Sequence, residues 1–403
     1  MKYLVILADG LADEPMPELG GRTVVMAAHT PNIDELCRRS VCGMLKTVPD
    51  SLHPGSEVAN MSIMGFDVEQ CYQGRGVLEA AAMGIDLQPG DLVMRCNLVC
   101  VADDHLVNHS AGHISTGEAA ELIDALNEKL GSERVKFHKG VSYRHVLVVK
   151  GGLQGIDFTP PHDVPGALLA DVMPQGSASN PTLRLITGLM QRSRQVLEDH
   201  PINRNRKAQG KCPGNMIWPW SAGYKPDMPQ LGKMYGFKSG VVISAVDLIH
   251  GIGRLGGLAS VFVEGATGLY DTNYSGKVQA ALKALEDHDY VFLHIEAPDE
   301  AGHEGDHRLK IRTIEDIDRL VVGPVLDFLE QAGEPVAVAF LPDHPTPCRL
   351  KTHTRDAVPF MVCKPGLTPD AVTEYNEVAV RQGCVGFLQG QQFMDFMMQK
   401  CDA

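Results

Sequence analysis

The chain has 403 residues, of which 44% are hydrophobic and 21% are charged, and these values are ordinary for a folded globular protein. This length is sufficient for two or three domains, each with its own core. The formal net charge of −14 argues against a nucleic-acid partner, which requires a basic face. It still allows a small anionic substrate, because bound metal ions or a few buried arginines can reverse the local field.

The cysteines and the apolar runs indicate the expected cellular compartment. There are 10 cysteines but no Cys-x-x-Cys motif, and the closest pairs, Cys37/Cys42 and Cys96/Cys100, have no histidines nearby at zinc-finger spacing. We therefore expect reduced, mostly buried thiols and a cytoplasmic location. The first apolar run is too short for a signal peptide, and no run approaches the length of a membrane span, so no membrane partner is expected.

Strand-like runs alternate with amphipathic stretches, which predicts an α/β fold with a mostly parallel sheet. The first strand is predicted at Lys2–Leu7, and Thr30 is predicted as the N-cap of a helix that begins at Pro31. Further strands are predicted at Val241–Val246, Val261–Val263, Tyr290–Ile295 and Val336–Leu341. Helical spacing is present at Lys277–Leu285 and Arg312–Leu329.

The middle of the chain differs from its two ends. Between residues 72 and 228, glycine, proline and other turn residues become frequent. The helical pattern Thr116–Leu130 and the strand-like run Arg144–Val149 indicate that this segment is folded rather than a linker. We therefore predict a core made of residues 1–71 and 229–403, interrupted by an inserted α+β domain at 72–228.

Three short segments carry aspartate and histidine directly after apolar, strand-like runs. They are Leu-Ala-Asp-Gly, His-Ile-Glu-Ala-Pro-Asp-Glu-Ala-Gly-His, and Leu-Pro-Asp-His-Pro-Thr-Pro followed by Lys-Thr-His-Thr. Their candidate metal ligands are Asp9, Asp299, His303, Asp343, His344 and His353. Imidazole and carboxylate groups that converge at strand ends suit divalent ions such as Zn²⁺ or Mn²⁺. If the second segment is helical, Asp299 and His303 share one face.

Ser56, in Pro54-Gly55-Ser56, is the candidate nucleophile. We expect Gly55 to allow a sharp turn and the following residues to form a helix whose N–H groups face an anion. A serine hydroxyl needs a metal or a base to ionise it, so the combination indicates phosphoryl or acyl transfer. An alternative interpretation, Ser56 as the N-cap of that helix, is compatible with this role.

Several polar side chains are candidates for binding an anionic substrate. Arg75 is the best local case because it is flanked by two glycines. The other candidates are Asn97 with its neighbour Arg95, His109, His113, Arg144, Arg204, Lys211 and Lys238. Taken singly, each cation fits a solvated surface position better than a ligand role.

These motifs resemble those of the cofactor-independent phosphoglycerate mutases, in the short form often called archaeal-type, within the alkaline phosphatase superfamily. The resemblance spans essentially the whole chain. Its characteristic segments are Gly74-Arg-Gly-Val-Leu-Glu-Ala, Glu264-Gly-Ala-Thr-Gly, Glu296-Ala-Pro-Asp-Glu-Ala-Gly-His and the ending with Asp343-His344 and His353-Thr. The resemblance implies an alkaline-phosphatase-like, mostly parallel sheet flanked by helices, with an inserted substrate-binding cap domain.

The resemblance also implies two metal ions, Mn²⁺ or Zn²⁺, and a phosphoserine intermediate. One ion would be held by Asp9, Ser56, Asp343 and His344, and the other by Asp299, His303 and His353. The implied reaction interconverts 3-phosphoglycerate and 2-phosphoglycerate, so the expected partner is a small phosphorylated substrate. The cap would exclude water during the exchange. The oligomeric state is left open.

One loop departs from the family pattern. Where archaeal-type mutases have a loop like Asp-Arg-Arg-Ala-Gly-Arg, this chain has Asn-His-Ser-Ala-Gly-His at residues 108–113. The loss of three guanidinium groups is not conservative. The stretch Trp218-Pro-Trp220 lies in a segment that often carries another arginine. These differences resemble a bacterial branch proposed to phosphorylate homoserine.

Two alternatives to the mutase therefore stay open. The first is a kinase that transfers a phosphoryl group to homoserine through a phosphoserine, without a Walker A motif, which the chain lacks. The second, weaker alternative is a metal-dependent phosphatase, which would need a cap that admits water.

Overall fold

The computed structural model describes residues 1–399, and the chain divides into two compact units. The first unit comprises Met1–Tyr72 together with the chain from Met228 onward, and the second comprises Gln73–Asp227. These divisions lie one residue from the domain boundaries expected from the sequence. No helix within residues 1–399 has the length and apolar character needed to cross a membrane.

The strands are numbered in chain order. They are β1 Lys2–Ala8, β2 Val41–Lys46, β3 Asp91–Ala102, β4 His105–Asn108, β5 Val135–His138, β6 Arg144–Lys150, β7 Ile156–Asp157, β8 Gln175–Gly176, β9 Met216–Gly223, β10 Gly240–Ile243, β11 Ala259–Val261, β12 Tyr290–Ile295, β13 Val336–Leu341, β14 Val358–Cys363 and β15 Gly386–Gln389.

The α-helices are numbered in the same way. They are α1 Val24–Ala27, α2 Pro31–Arg38, α3 Ser56–Ile63, α4 Val68–Cys71, α5 Arg75–Ala82, α6 Thr116–Leu130, α7 Leu169–Val172, α8 Pro181–Leu197, α9 Pro201–Ala208, α10 Leu231–Tyr235, α11 Asp247–Leu255, α12 Tyr274–Asp287, α13 Ala297–Glu304, α14 His307–Ile317, α15 Gly323–Gln331 and α16 Gln392–Met398. Short 3₁₀ turns lie at Pro17–Leu19 and Ala379–Gln382.

The first unit contains an eight-stranded sheet in the order β11-β10-β12-β1-β13-β14-β2-β15. Every pair of neighbours is parallel except the two pairs that involve β14. β12 and β13 are buried along their whole length, as expected of apolar parallel strands covered on both faces. The prediction of a mostly parallel α/β sheet is confirmed.

Three predicted elements of this unit have other bounds than expected. The strand predicted at Val261–Val263 lies instead at Ala259–Val261, so that prediction is correct only at Val261. The run Val241–Val246 stops being a strand at Ile243, because the hydroxyl of Ser244 accepts a bond from the Val246 N–H and turns the chain. The helical pattern Arg312–Leu329 contains a π-helical turn at Asp318–Val322 between α14 and α15. Pro324 lacks an N–H and its ring would clash with the carbonyl one turn earlier, which accounts for the interruption.

The second unit contains a five-stranded antiparallel sheet. Its strands follow the order β4-β3-β6-β5, and β9 also pairs with β3. Apolar residues of α6 and α8 cover one face of the sheet, and Val77 and Ala80 of α5 join a separate cluster with Val93 and Val148. α6 has the predicted bounds, and a capping box between Ser115 and Glu118 fixes its start. This unit therefore has its own core.

Candidate metal centre and nucleophile

The carboxyl ends of three neighbouring strands bring the predicted ligands together in the first unit. β1 lies between β12 and β13 and is parallel to both. Asp9 follows β1 directly, Asp343 follows β13 after one proline, and Asp299 lies on α13, which begins just after β12. Because parallel strands end at the same edge of a sheet, three segments that are far apart in sequence meet there.

Asp9, Asp343 and His344 form the first group. One potential ligand atom from each lies within 4.8 Å of the others, and all three residues are buried. His344 Nε2 is 3.7 Å from Asp9 Oδ1 and 3.4 Å from Asp343 Oδ2. The backbone N–H groups of Gly10 and His344 both donate to Asp343 Oδ1, at 3.1 and 2.9 Å, which fixes that carboxylate.

Ser56 lies beside this group. Its Oγ is 3.2 Å from His344 Nε2, and it is the first residue of α3. Gly55 rather than Ser56 is the N-cap, so the alternative interpretation of Ser56 as the cap is wrong. Gly55 has an extended backbone with φ −173°, which any residue adopts, so the expected sharp turn at this glycine is also absent.

Asp299, His303 and His353 form the second group. Asp299 and His303 lie four residues apart on α13, as their spacing predicts for a helix, with His303 Nε2 3.2 Å from Asp299 Oδ2. His353 Nε2 is 3.5 Å from Asp299 Oδ1 and 2.9 Å from His303 Nε2. The other ring nitrogen of His303 is 3.1 Å from the Lys351 carbonyl, so it donates there, and a neutral His303 therefore has its lone pair on Nε2.

His344 connects the two groups. Its ring stacks on that of His353 at 3.9 Å between centroids, and one ligand atom from each of His344, Asp299 and His353 lies within 4.8 Å of the others. The Thr346 hydroxyl donates to Asp299 Oδ1 and lies 3.3 Å from His344 Nδ1. The two candidate cation positions are therefore adjacent.

The electrostatics of the first group favour a cation. Burial, followed by the charges of Asp343 and Asp299, raises the pKa of Asp9 well above its ordinary value. Asp9 Oδ1 is buried and has no hydrogen-bond partner within residues 1–399. A buried, unpartnered carboxylate oxygen beside a second carboxylate is costly unless a proton or a metal ion neutralises the charge. The donor set of carboxylates, imidazoles and a hydroxyl thus fits Mn²⁺ or Zn²⁺.

In the second group, the histidines hold Asp299 ionised. Burial opposes ionisation, but hydrogen bonds from His303 and His353 keep the pKa of Asp299 well below its ordinary value. In return, the hydrogen bond to Asp299 raises the pKa of His303 to about 9. A divalent cation would replace these protons, because metal binding requires neutral imidazoles.

Two side chains that sequence reasoning missed position these groups. Asn60, one turn after Ser56 on α3, donates to Asp343 Oδ2 at 2.9 Å and to the Ser56 carbonyl at 2.9 Å. His294 Nε2, within β12, is 2.8 Å from Asp9 Oδ2. His294 begins the second of the three aspartate- and histidine-bearing segments, but it lies inside the apolar strand rather than after it, and Asn60 lies inside a helix. For Asn60, the sequence signal is the four-residue spacing from Ser56.

In the second unit, five of the predicted substrate-binding residues are grouped near Arg95. Asn97 and Arg144 are cross-strand partners on β3 and β6, and Asn97 donates to the His109 carbonyl at 3.2 Å. The rings of His109 and His113 lie 5.9 and 6.1 Å from that of Tyr143. Arg75 lies near Arg95, with Glu79 between them.

Arg95 is the buried centre of this second-unit cluster. Glu79 Oε1 is 2.9 Å from Arg95 Nη1, and the Trp220 ring lies 4.9 Å from its guanidinium carbon. Burial lowers the pKa of Arg95 to about 10, Glu79 opposes this shift, and Arg75 and Arg144 add to it. Trp220 also donates to Asn97 at 3.1 Å and meets the ring of His162 at 5.2 Å. Trp220 and His162 were not predicted as part of the site.

Three predicted residues lie elsewhere. Lys238 precedes β10 and its N–H bonds Asp289, so it sits at the amino edge of the parallel sheet, opposite the metal candidates. Arg204 is exposed on α9, outside the contacts that define the second-unit cluster. Lys211 is likewise exposed, just after α9. The structure therefore does not bring these three cations to either group of site residues.

A sequence profile described as 2,3-bisphosphoglycerate-independent phosphoglycerate mutase matches residues 37–203. The chain is 44% identical over 401 residues to a protein of that name from Methanosarcina mazei, covering 99% of this chain and 100% of the relative. It is 46% identical to a probable enzyme of the same name from Geobacter sulfurreducens, with 99% and 100% covered.

Two solved structures resemble the fold. The PH0037 protein from Pyrococcus horikoshii superposes with a TM-score of 0.83 at 30% identity, covering 98% of this chain and 96% of the other. The cofactor-independent phosphoglycerate mutase from Thermoplasma acidophilum gives 0.71 at 27% identity, with both chains covered completely. The fold and the site define an α/β enzyme with two adjacent groups of metal-type ligands beside a serine. The chain belongs to the family of 2,3-bisphosphoglycerate-independent phosphoglycerate mutases.

Proposed function

We propose that this protein interconverts 3-phosphoglycerate and 2-phosphoglycerate by transferring the phosphoryl group through Ser56. The observation that carries this proposal is the position of Ser56 Oγ, 3.2 Å from His344 Nε2 and at the start of α3, beside the group formed by Asp9, Asp343 and His344. A binding protein would have no need of a hydroxyl at that position. Family membership supplies the substrate.

Two divalent ions, Mn²⁺ or Zn²⁺, complete the proposed site. Asp9, Ser56, Asp343 and His344 would hold one, and Asp299, His303 and His353 would hold the other. When bound, such ions neutralise charge on a transferring phosphoryl group and favour ionisation of a nearby hydroxyl. The mutual proximity of the carboxylates and the unpartnered Asp9 Oδ1 support this assignment.

The proposed phosphoryl transfer has two steps, and both involve Ser56. Ser56 Oγ attacks phosphorus, the bond from phosphorus to the glycerate oxygen breaks, and that oxygen gains the proton that Ser56 loses. In the second half, the other glycerate hydroxyl attacks the phosphoserine, and its proton returns to Ser56 Oγ. The reaction therefore balances without a co-reactant. The first N–H groups of α3 would face a phosphoryl group at Ser56, and Asn60 holds the Ser56 backbone in place.

We further propose that the second unit is the cap domain and binds the anionic groups of the substrate. The supporting observation is the excess of cations in the cluster around Arg95, where Arg75, Arg95 and Arg144 outnumber Glu79. His109 and His113 flank Tyr143 in the same cluster. Arg95 is held by Glu79 and Trp220, so it offers a fixed, fork-shaped donor for a carboxylate or a phosphate.

A second acceptor, homoserine, is favoured only by the loop at residues 108–113, which lacks the arginines of the mutase pattern. The metal and serine groups are equally suitable for that transfer. An assay must therefore distinguish the acceptor.

The test supplies purified protein and Mn²⁺ with 3-phosphoglycerate, or with homoserine and ATP, and measures 2-phosphoglycerate, phosphohomoserine and free phosphate. We expect 2-phosphoglycerate. The variant Ser56→Ala should lower the rate by at least about 10³-fold, because the nucleophile is lost. Ser62→Ala removes a buried hydroxyl from the same helix and should retain the wild-type rate.

Each remaining outcome identifies a different error. Phosphohomoserine without 2-phosphoglycerate would replace the mutase with the kinase, and free phosphate alone would indicate a phosphatase. Activity in Ser56→Ala comparable to that of Ser62→Ala would refute Ser56 as the nucleophile.

A further inference from the structure

The two carboxylate oxygens of Asp9 have different environments. Oδ2 lies 2.8 Å from His294 Nε2, and both residues are almost fully buried, with 1% and 0% exposed. Oδ1 is buried, has no hydrogen-bond partner within residues 1–399, and lies 3.7 Å from His344 Nε2. One oxygen is therefore fixed by the protein and the other is left for a cation.

His294 is held in turn by the neighbouring strand. It lies on β12, opposite Leu7 of β1, and its Nδ1 is 3.1 Å from the hydroxyl of Ser244, the first residue after β10. Lys277 on α12 is fully buried and donates from Nζ to the His294 carbonyl at 3.2 Å. Both the ring and the backbone of His294 are thus fixed by residues outside the metal groups.

The hydrogen bonds run in one direction. The Val246 N–H donates to Ser244 Oγ at 2.9 Å, and an ionised Asp9 only accepts hydrogen bonds. A neutral His294 therefore carries its proton on Nε2 toward Asp9, and its Nδ1 accepts the Ser244 hydroxyl proton. Every polar atom in this chain of contacts from Val246 to Asp9 Oδ2 is satisfied.

We propose that His294, oriented by Ser244, is a positioning residue that restricts Asp9 to binding a cation through Oδ1 alone. The inference rests on the proposed function, because it takes Asp9, Asp343 and His344 as a metal site. Outer partners of this kind orient ligands and strengthen metal binding. With Oδ2 engaged by His294, Asp9 would offer a cation the single oxygen Oδ1, beside the other residues of the first group.

His250 provides a matched control. It is 2% exposed and lies on α11, and its Nε2 bonds the Ser244 carbonyl at 3.0 Å, whereas His294 contacts the Ser244 hydroxyl. Replacing either histidine by leucine removes one buried imidazole next to Ser244. Only the replacement of His294 removes the bond to Asp9.

The experiment titrates chelator-treated protein with Mn²⁺ and measures stoichiometry and affinity by calorimetry and by electron paramagnetic resonance. Wild type should bind two ions per chain. His294→Leu should weaken one of them by about 10–100-fold, the range for loss of an outer partner, and leave the other unchanged. In a His303→Ala background, which disables the second group, the same loss should be seen in the remaining site. His250→Leu should change neither affinity by more than about twofold.

Ser244 keeps the test valid if His294→Leu fails to fold. Ser244→Ala removes the donor to Nδ1 and should weaken the same ion, and Ser244→Thr, which restores a hydroxyl, should recover the wild-type affinity. A merely structural role would weaken both ions together, with no recovery in Ser244→Thr.

The results separate this inference from the function on which it rests. Two ions in wild type with unchanged affinities in His294→Leu and Ser244→Ala would overturn the positioning role alone. Equal weakening of both ions would also overturn it. Failure of wild type to bind two ions would refute the proposed metal centre and this inference with it, whichever product the activity assay yields.

Discussion

At the scale of single residues, the two groups of candidate metal ligands are brought together by the missing side chain of Gly10. Its N–H donates to Asp343 Oδ1 at 3.1 Å, and its backbone has φ +61°. A Cβ at this position would lie 2.6 Å from the Asp299 Cα, which belongs to a different segment of backbone. Gly10 therefore allows β1 to end against α13, and only glycine fits both the conformation and the space.

Gly10→Ala is consequently predicted to destabilise the protein by about 2–5 kcal/mol. This range combines the left-handed conformation, about 1–2 kcal/mol, with over-packing against Asp299, about 1–3 kcal/mol. Urea unfolding of metal-free protein measures it. Gly20→Ala is the matched control, because φ is +67° and nothing lies within 4 Å of the added Cβ, so only the conformational cost applies. Equal losses of unfolding free energy in the two variants would contradict the close contact between position 10 and Asp299.

Residue patterns in the sequence predict the candidate ligands but not the side chains that hydrogen-bond to them. Asp9, Asp299 and Asp343 follow apolar runs, so their position at a sheet edge follows from strand polarity alone. His294 and Asn60 reach the same site from inside a strand and a helix, where a polar residue has no predictable direction relative to the sheet edge. Lys238 was wrongly predicted to bind substrate. A cation beside a strand gives no information about which end of the sheet it occupies.

At the scale of elements, one buried ion pair fixes the loops that carry the ligands. Lys310 on α14 is fully buried and donates to Asp13 Oδ2 at 2.9 Å, to the Ala12 carbonyl at 3.2 Å and to the Thr346 carbonyl at 2.8 Å. These three acceptors lie in the loops after β1 and β13. α14 thus holds the loop after β1, which follows Asp9, against the loop after β13, which contains His344.

Strands and helices with a clear period were predictable, and irregular segments were not. β12 and β13 have the predicted bounds because apolar runs of that length form buried strands. The π-helical turn before α15 and the loop at residues 108–113 depend instead on single residues. In that loop, Asn108 Oδ1 accepts from the N–H groups of Ser110 and Gly112, and Ala111, Gly112 and His113 all have positive φ.

The geometry of the loop at residues 108–113 determines at which position an introduced arginine can reach the substrate. Ser110 is fully buried, whereas His113 is exposed beside Tyr143. His113→Arg is therefore predicted to raise kcat/KM for 3-phosphoglycerate several-fold, mainly by lowering KM. The reason is that a guanidinium is added to the cation cluster. Steady-state kinetics of the mutase reaction measure this.

The control for His113→Arg is His105→Arg, an exposed histidine of the same unit at the start of β4. It adds the same charge outside the second-unit cluster and should leave KM unchanged. An unaltered KM in His113→Arg, or an equal fall of KM in both variants, would show that this loop does not bind the substrate.

At the scale of the whole molecule, the two units have separate hydrophobic cores, and the proposed metal ligands belong to the first unit only. Both tryptophans of the chain, Trp218 and Trp220, are buried in the second unit. Their fluorescence therefore reports on the unfolding of the second unit, whereas circular dichroism reports on helices and strands of both.

Metal removal is accordingly predicted to affect the two signals differently. Each ion at 100 times its dissociation constant stabilises the state that binds it by about 2.7 kcal/mol. Adding Mn²⁺ to chelator-treated protein should thus raise the urea midpoint of a dichroism transition and leave the tryptophan midpoint in place. Asp343→Asn, which removes a buried carboxylate of the first group, should reduce the metal-dependent shift. Identical shifts in both signals would mean that the two cores unfold as one cooperative unit. No shift in either signal would refute the metal centre itself, since a ligand that binds only the folded state must stabilise it.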